Sequence, residues 1–297
     1  INVFTNLFIG ISLGANVLTA RFYAAGREKE VSETVHTAIT LALVSGIVMA
    51  LVGLVFSRGA LALMGTPDDV IGMSALYMRI YFLGMPFFML YNYGAAILRA
   101  VGDTKRPLLF LMIAGVINAC LNMVLVIVFK LGVAGVAIAT VISQMISCVL
   151  VLRCLCRSES SYRLRFSELG MKGYYLKQIF SVGVPAGIQS TVINFSNVLL
   201  QSSVNSFGST AMAGYTAANN LLGFLYVSVN SITQACMSFT SQNYGVGKLK
   251  RMDRVLADCM ILSVVVAVVL GCICYGFGPE ILQIYTEDAE VIACGME

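Results

Sequence analysis

A chain of 297 residues with 58% hydrophobic side chains, 11% charged ones and a mean hydropathy of +0.86 is excluded from the water-soluble class, which needs roughly a quarter of its residues charged to keep a surface wet. Its net charge of +4 is small and spread over several loops, so it asks for no nucleic-acid partner. The composition is that of a polytopic membrane protein.

Crossing about 30 Å of hydrocarbon takes ~20 apolar residues in a helix, so charge-free runs mark the spans. Such runs cover 1–20, 34–57, 107–129, 131–152 and 259–279, and 70–98 is interrupted only by Arg79. The stretch 178–247 has no charge at all and is long enough for two spans with a turn at 205–210. Eight spans are therefore predicted, and 291–297 reads as the start of a ninth. With Ile rather than Met at position 1, the 297 residues are expected to be a piece of a longer chain. Placing successive loops on alternate sides gathers sixteen basic residues on one side and leaves Arg58, Arg79 and Lys130 on the other, while acidic residues divide almost evenly. The positive-inside rule makes the basic side cytoplasmic, which predicts a multi-pass protein of the cell membrane.

Sliding the sequence on itself by 221 positions pairs Tyr23 and Gly26 with Tyr244 and Gly247, and Arg27 and Lys29 with Lys248 and Lys250. Both copies run in the same direction, so the repeats are parallel and hold an even number of spans. The first span pairs with the seventh, which gives six spans per half and twelve in all. The expected fold is all-α, two parallel six-helix bundles. Residues 1–155 form an N-terminal bundle lacking its first helix, and 156–175 a solvated cytoplasmic linker. Residues 176–297 form a C-terminal bundle lacking about its last three helices.

Enzyme chemistry finds no parts. The segment around Gly245, Gly247 and Lys248 lacks the spacing of a phosphate-binding loop, so no nucleotide partner is expected. His36, the single histidine, cannot build a multi-histidine metal site or a triad; it is expected at the interface. The pairs Cys154/Cys156 and Cys272/Cys274 have one residue between thiols, which suits neither zinc nor a redox pair. What remains is a set of uncharged polar side chains inside the spans, each of which needs a partner or water. Asn118 and Asn122 stand four apart on one helix face; Thr140, Ser143 and Gln144 follow on the next span. Gln189, Asn194, Asn197 and Gln201 mark the sixth span and Asn219, Asn220 and Gln234 the seventh. Interhelical hydrogen bonding would absorb any one of them, but their density points to a hydrated cavity.

Four segments resemble the multidrug and toxic compound extrusion (MATE) transporters. They are the run from Leu98 to Pro107, the Gly132, Gly135 and Thr140 stretch entering the fifth span, Val182-Gly183-Val184-Pro185, and Gln242-Asn243-Tyr244-Gly245 with Gly247-Lys248. The resemblance implies twelve helices in two bundles and secondary antiport, in which inward Na⁺ or H⁺ drives export of organic, often cationic, compounds with no other cofactor. It also implies a cation site at Asn118, Asn122 and Thr140, with the remaining amides on the substrate cavity. Asn122 stands where relatives often have a carboxylate, and the first-helix acid of that site would lie ahead of Ile1. Two alternatives stand beside it. A lipid-linked oligosaccharide flippase would want basic residues at mid-span, and none is there; a non-transporting receptor or scaffold would not need parallel repeats.

Overall fold

The structure, a computed structural model, describes residues 2–63, 68–205, 209–283 and 288–296. Among the described residues there is no strand. The helices are α1 (Asn2–Ala24), α2 (Glu28–Leu63), α3 (Asp68–Leu83), α4 (Met85–Ala100), α5 (Lys105–Met123), α6 (Gly132–Arg157), α7 (Gly173–Asn205), α8 (Ser209–Gly245), α9 (Leu249–Gly276), α10 (Gly278–Leu282) and α11 (Ala289–Met296). The expected turn at 205–210 falls largely on residues 206–208, outside the described residues.

Among the described residues five helices are long and apolar enough to span a bilayer, and α3 and α4, bent by 43° at their break, bring this up to six if the pair is one span. The sequence read that pair as one continuous span. Pro86, in the first turn of α4, lacks an N–H, and Gly84 stands at the break. Helices α7 and α8, at 33 and 37 residues, have the length of spans. Their Asn, Gln and Ser residues hold their hydropathy below that of the other five.

The 221-residue repeat reappears in the backbone. Gly26 has φ +68° and Gly247 φ +71°, the left-handed conformation that closes a helix. The Gly26 N–H donates to the Tyr23 carbonyl at 3.1 Å and the Arg27 N–H to that of Phe22 at 3.0 Å. At the other copy the Gly247 N–H donates to Tyr244 at 3.1 Å and the Lys248 N–H to Asn243 at 2.9 Å. Two residues after each glycine the next helix starts, at Glu28 and at Leu249.

The chain divides into two compact units, Phe4–Ile188 and Gln189–Glu297 with Ile1–Val3. The division falls inside α7. Glycines explain why the first half of α7 belongs with α1. A Cβ on Gly10 would sit 2.2 Å from Gly187 Cα, and one on Gly14 would sit 2.2 Å from the Ile179 carbonyl oxygen. A Cβ on Gly183 would lie 2.5 Å from Ile11 Cα. Gly10 with Gly14 and Gly183 with Gly187 are two small-xxx-small pairs facing each other, an arrangement that lets backbones touch.

The core of the larger unit is built on α4, whose Met85, Met89, Tyr93 and Ile97 recur every fourth residue and are all fully buried. Helix α2 adds Val31, Val35, Ala38 and Ala42. Its Gly46 admits Pro86 of α4, since a Cβ there would be 2.5 Å from Pro86 Cα. On the other side Gly94 makes room for Val151 of α6. A buried amide joins α1 to this core, Asn16 Nδ2 donating to the Ala96 carbonyl at 2.8 Å. In the smaller unit α9 buries none of its residues and shows Met260, Ile261, Val264 and Val268 outward.

The connection after α6 is fastened rather than merely solvated. Leu164 is buried, and the Arg165 N–H donates to His36 Nε2 at 3.0 Å. His36 in turn gives its Nδ1 proton to the Ser32 carbonyl at 2.7 Å, which fixes the neutral tautomer. Lys172 pairs with Glu33, and its N–H reaches Thr37 Oγ1 at 3.4 Å. Arg165 bonds Glu168 at 2.8 Å and holds that carboxyl below its usual range. The histidine expected at the interface is thus a buried anchor for the linker.

Gly187→Val should push α1 and α7 apart and destabilise the protein by about 1–3 kcal/mol or more, read as a lowered melting temperature in detergent. Gly59→Ala, on an open face of α2 with nothing within 4 Å, should leave it unchanged or higher. His36→Phe removes the acceptor for the Arg165 N–H and should speed tryptic cleavage at Arg163 and Arg165.

Candidate functional site

Polar residues in a nearly charge-free span have few partners other than one another, and on α4, α5 and α6 they converge on one space. A cavity of about 510 Å³ is lined by Tyr91 and Asn92 of α4, Asn118 of α5, and Thr140, Ser143 and Gln144 of α6, with Phe88, Leu111 and Ser147 among its other walls. The spacing on α6 is helical: 140, 143, 144 and 147 fall on one stripe.

A directed chain of hydrogen bonds runs along this wall. Asn122 Nδ2 donates to Asn118 Oδ1 at 3.0 Å, Asn118 Nδ2 to Ser143 Oγ at 3.3 Å, and Ser143 Oγ to the Thr140 carbonyl at 2.8 Å. Thr140 Oγ1 donates back to the Val136 carbonyl at 2.9 Å. Donors are therefore spent within the protein, and oxygens are left over. Asn122 Oδ1 and Gln144 Oε1 are buried with no hydrogen-bond partner. A buried carbonyl oxygen without a donor costs about 1–3 kcal/mol, which makes both natural ligands for a cation or a hydrogen-bond donor. Among the described lining residues there is no Asp or Glu.

Local backbone features place these groups. After Met123 the helix widens into a π-turn over Val124–Val128, an irregularity often found at functional positions. It follows Asn122 directly. At the α3–α4 break, Gly84 makes room for the Gln144 amide: a Cβ there would come within 2.8 Å of Gln144 Oε1.

Asn118, Thr140 and Gln144 line the cavity, and Asn122, one turn further along α5, bonds Asn118 without lining it. The other amides are in the smaller unit. Gln189, Asn197, Asn219 and Asn220 are exposed there, and Asn194, Gln201 and Gln234 are half-buried. Tyr91, Asn92 and Ser147 were not singled out from sequence. Asn92 carried the same signal as Asn118, an amide in a nearly charge-free run, whereas Tyr91 and Ser147 carry none apart from their helical spacing. Asn92 Nδ2 donates to the Phe88 carbonyl at 2.8 Å and Tyr91 Oη to that of Pro107 at 3.0 Å.

Asn118→Ala deletes one donor and one acceptor of the chain, an interhelical contact worth about 0.6–1.7 kcal/mol. Thermal unfolding should show a loss of that size, small enough for the variant to be assayed folded.

The family model described as MatE matches residues 1–124 and 185–297. A probable multidrug resistance protein of Bacillus subtilis, YoeA, is 33% identical over 293 residues, 96% of this chain and 63% of its own length. The multidrug export protein MepA of Staphylococcus aureus is 23% identical over 97% of this chain and 63% of its own. The chain thus spans just under two thirds of the curated relatives it matches. An outward-facing multidrug resistance MATE transporter of the MOP superfamily superposes with a TM-score of 0.90 at 19% identity, covering 99% of this chain and 66% of that one. A MOP superfamily transporter from Pyrococcus furiosus gives 0.89 at 18% identity, with 99% and 66% covered. The family model's match, with which the YoeA match agrees, shows that the chain belongs to the MATE (MatE) family.

Proposed function

We propose that this chain works in a secondary antiporter that exports organic, often cationic, compounds in exchange for inward Na⁺ or H⁺, across the cell membrane with its arginine-rich loops in the cytoplasm. The observation that carries the reading is the α4–α6 cavity with its adjoining amide: Gln144 lines it, Asn122 joins it through Asn118, and the side-chain oxygens Gln144 Oε1 and Asn122 Oδ1 are buried with no donor. Each elementary charge moved inward gains about 2.3 kcal/mol per 100 mV, so a coupled ion suffices to drive export.

Asn118, Asn122 and Thr140 form the cation site in this proposal. Their oxygens are neutral, and a proton needs a base that none of them supplies at physiological pH. Hard alkali cations take such oxygens directly, so of the two ions the donor set suits Na⁺. In the larger unit Gln144 contacts substrate, its amide able to accept from ammonium and other N–H donors; in the smaller unit, taken by itself, Gln189, Asn194, Asn197, Gln201, Asn219, Asn220 and Gln234 are the amides proposed for the same role. The names borne by the Bacillus and Staphylococcus relatives support an organic substrate.

Full-length protein in proteoliposomes should move a cationic dye such as ethidium when an opposing Na⁺ gradient is imposed, and faster than with a proton gradient alone. Asn118→Ala and Thr140→Ala should each lower the ion-driven rate at least tenfold. Gln144→Ala should raise the half-saturating dye concentration. Dye movement that ignores both gradients, or that survives both substitutions, removes the antiport assignment of these residues.

A further inference from the structure

We infer that the arginine-rich ends of α5 and α6 form a binding site for the phosphate of an anionic phospholipid. The site is separate from the α4–α6 cavity and unconnected with the transport reading. A concavity of about 650 Å³ is lined there by Arg106 of α5 and Arg153, Arg157 and Glu159 at and beyond the end of α6, with Phe110 and Leu150 as its apolar floor. Arg153 and Arg157 stand one helical turn apart on one face. Neither makes an ion pair with a described acidic side chain. Two guanidinium groups thus flank one hollow with their donors free, beside a third whose position is set by Asp103 at 3.3 Å and by Cys154 Sγ at 3.5 Å. Among the described lining residues Glu159 is the only carboxylate, so the hollow is net positive, and planar guanidinium forks fit phosphate oxygens.

Apolar side chains beside the hollow distinguish a lipid from a free anion. One turn further from the basic end, on the same faces, stand Leu109, three residues after Arg106, and Val149, four before Arg153. They are 53% and 56% exposed. A headgroup phosphate held by Arg153 and Arg157 would lay its acyl chains along these side chains and over Phe110. Inorganic phosphate has nothing to put there. Basic hollows between helices at the membrane surface are the expected form of such a site.

The test is lipid retention by the detergent-purified protein, read by native mass spectrometry during titration with phosphatidylglycerol. Wild type should carry one tightly held phosphatidylglycerol, and phosphatidylcholine should not replace it. Removing two surface arginines should weaken binding about thirtyfold, so Arg153→Gln/Arg157→Gln should lose the adduct. Lys248→Gln/Lys250→Gln, equal in charge removed, should change it less than threefold. Arg153→Lys/Arg157→Lys, which keeps charge and fold, should fall between. Equal losses in both glutamine variants would mean only general attraction to a basic face and would overturn the site. So would displacement of the lipid by millimolar inorganic phosphate or glycerol 3-phosphate, which would make a free anion the ligand.

Discussion

In hydrocarbon, burying a leucine against another leucine gains little over leaving it in lipid, so helices must be held together by close backbone approach and by polar contacts. The meeting of α1 with the first half of α7 is the clearest expression of that constraint. Gly10 and Gly187 touch at a distance no side chain would allow, and the contact draws α7, as far as Ile188, into the unit that holds α2 to α6. The same device recurs where Gly46 meets Pro86 and Gly94 meets Val151. With those approaches in place, the i+4 ridge of α4 can be buried completely.

A second consequence concerns polarity. With no water in the bilayer core, an amide or hydroxyl on α4, α5 or α6 must find a partner, line a hollow or carry the cost of having neither, as the buried Tyr93 Oη does. Most find one: Asn118, Ser143 and Thr140 close a chain of donors on one another and on the backbone. The bonds all spend protons and leave carbonyl oxygens over, at Asn122 and Gln144. In the proposed reading, oxygens left without donors are what a cation or an N–H donor would meet, and among the described lining residues there is no carboxylate.

Outside the apolar region the balance is different, because water and counter-charges are available. There His36, Glu33 and Thr37 at one end of α2 tie down the segment after α6, while Arg153 and Arg157 stay unpaired at the end of α6. Both sets sit at the ends of helices, beside connections rich in basic residues. Only the arrangement separates a structural anchor from an open, positively charged hollow.

Composition and period were enough to determine the all-helical membrane architecture and the parallel repeat, because spans are dictated by hydrocarbon thickness and because left-handed turns require glycine at Gly26 and Gly247. Asn118, Asn122, Thr140 and Gln144 were also legible, since amides in charge-free runs stand out. Asn92 was missed although it carried the same signal. The bend at Gly84, the facing glycine pairs of α1 and α7, and the anchoring role of His36 were decided only by the tertiary structure. Each depends on which residues, up to nearly 180 positions apart, come to lie against one another, and a helix's own periodicity holds no information about the helix it will meet.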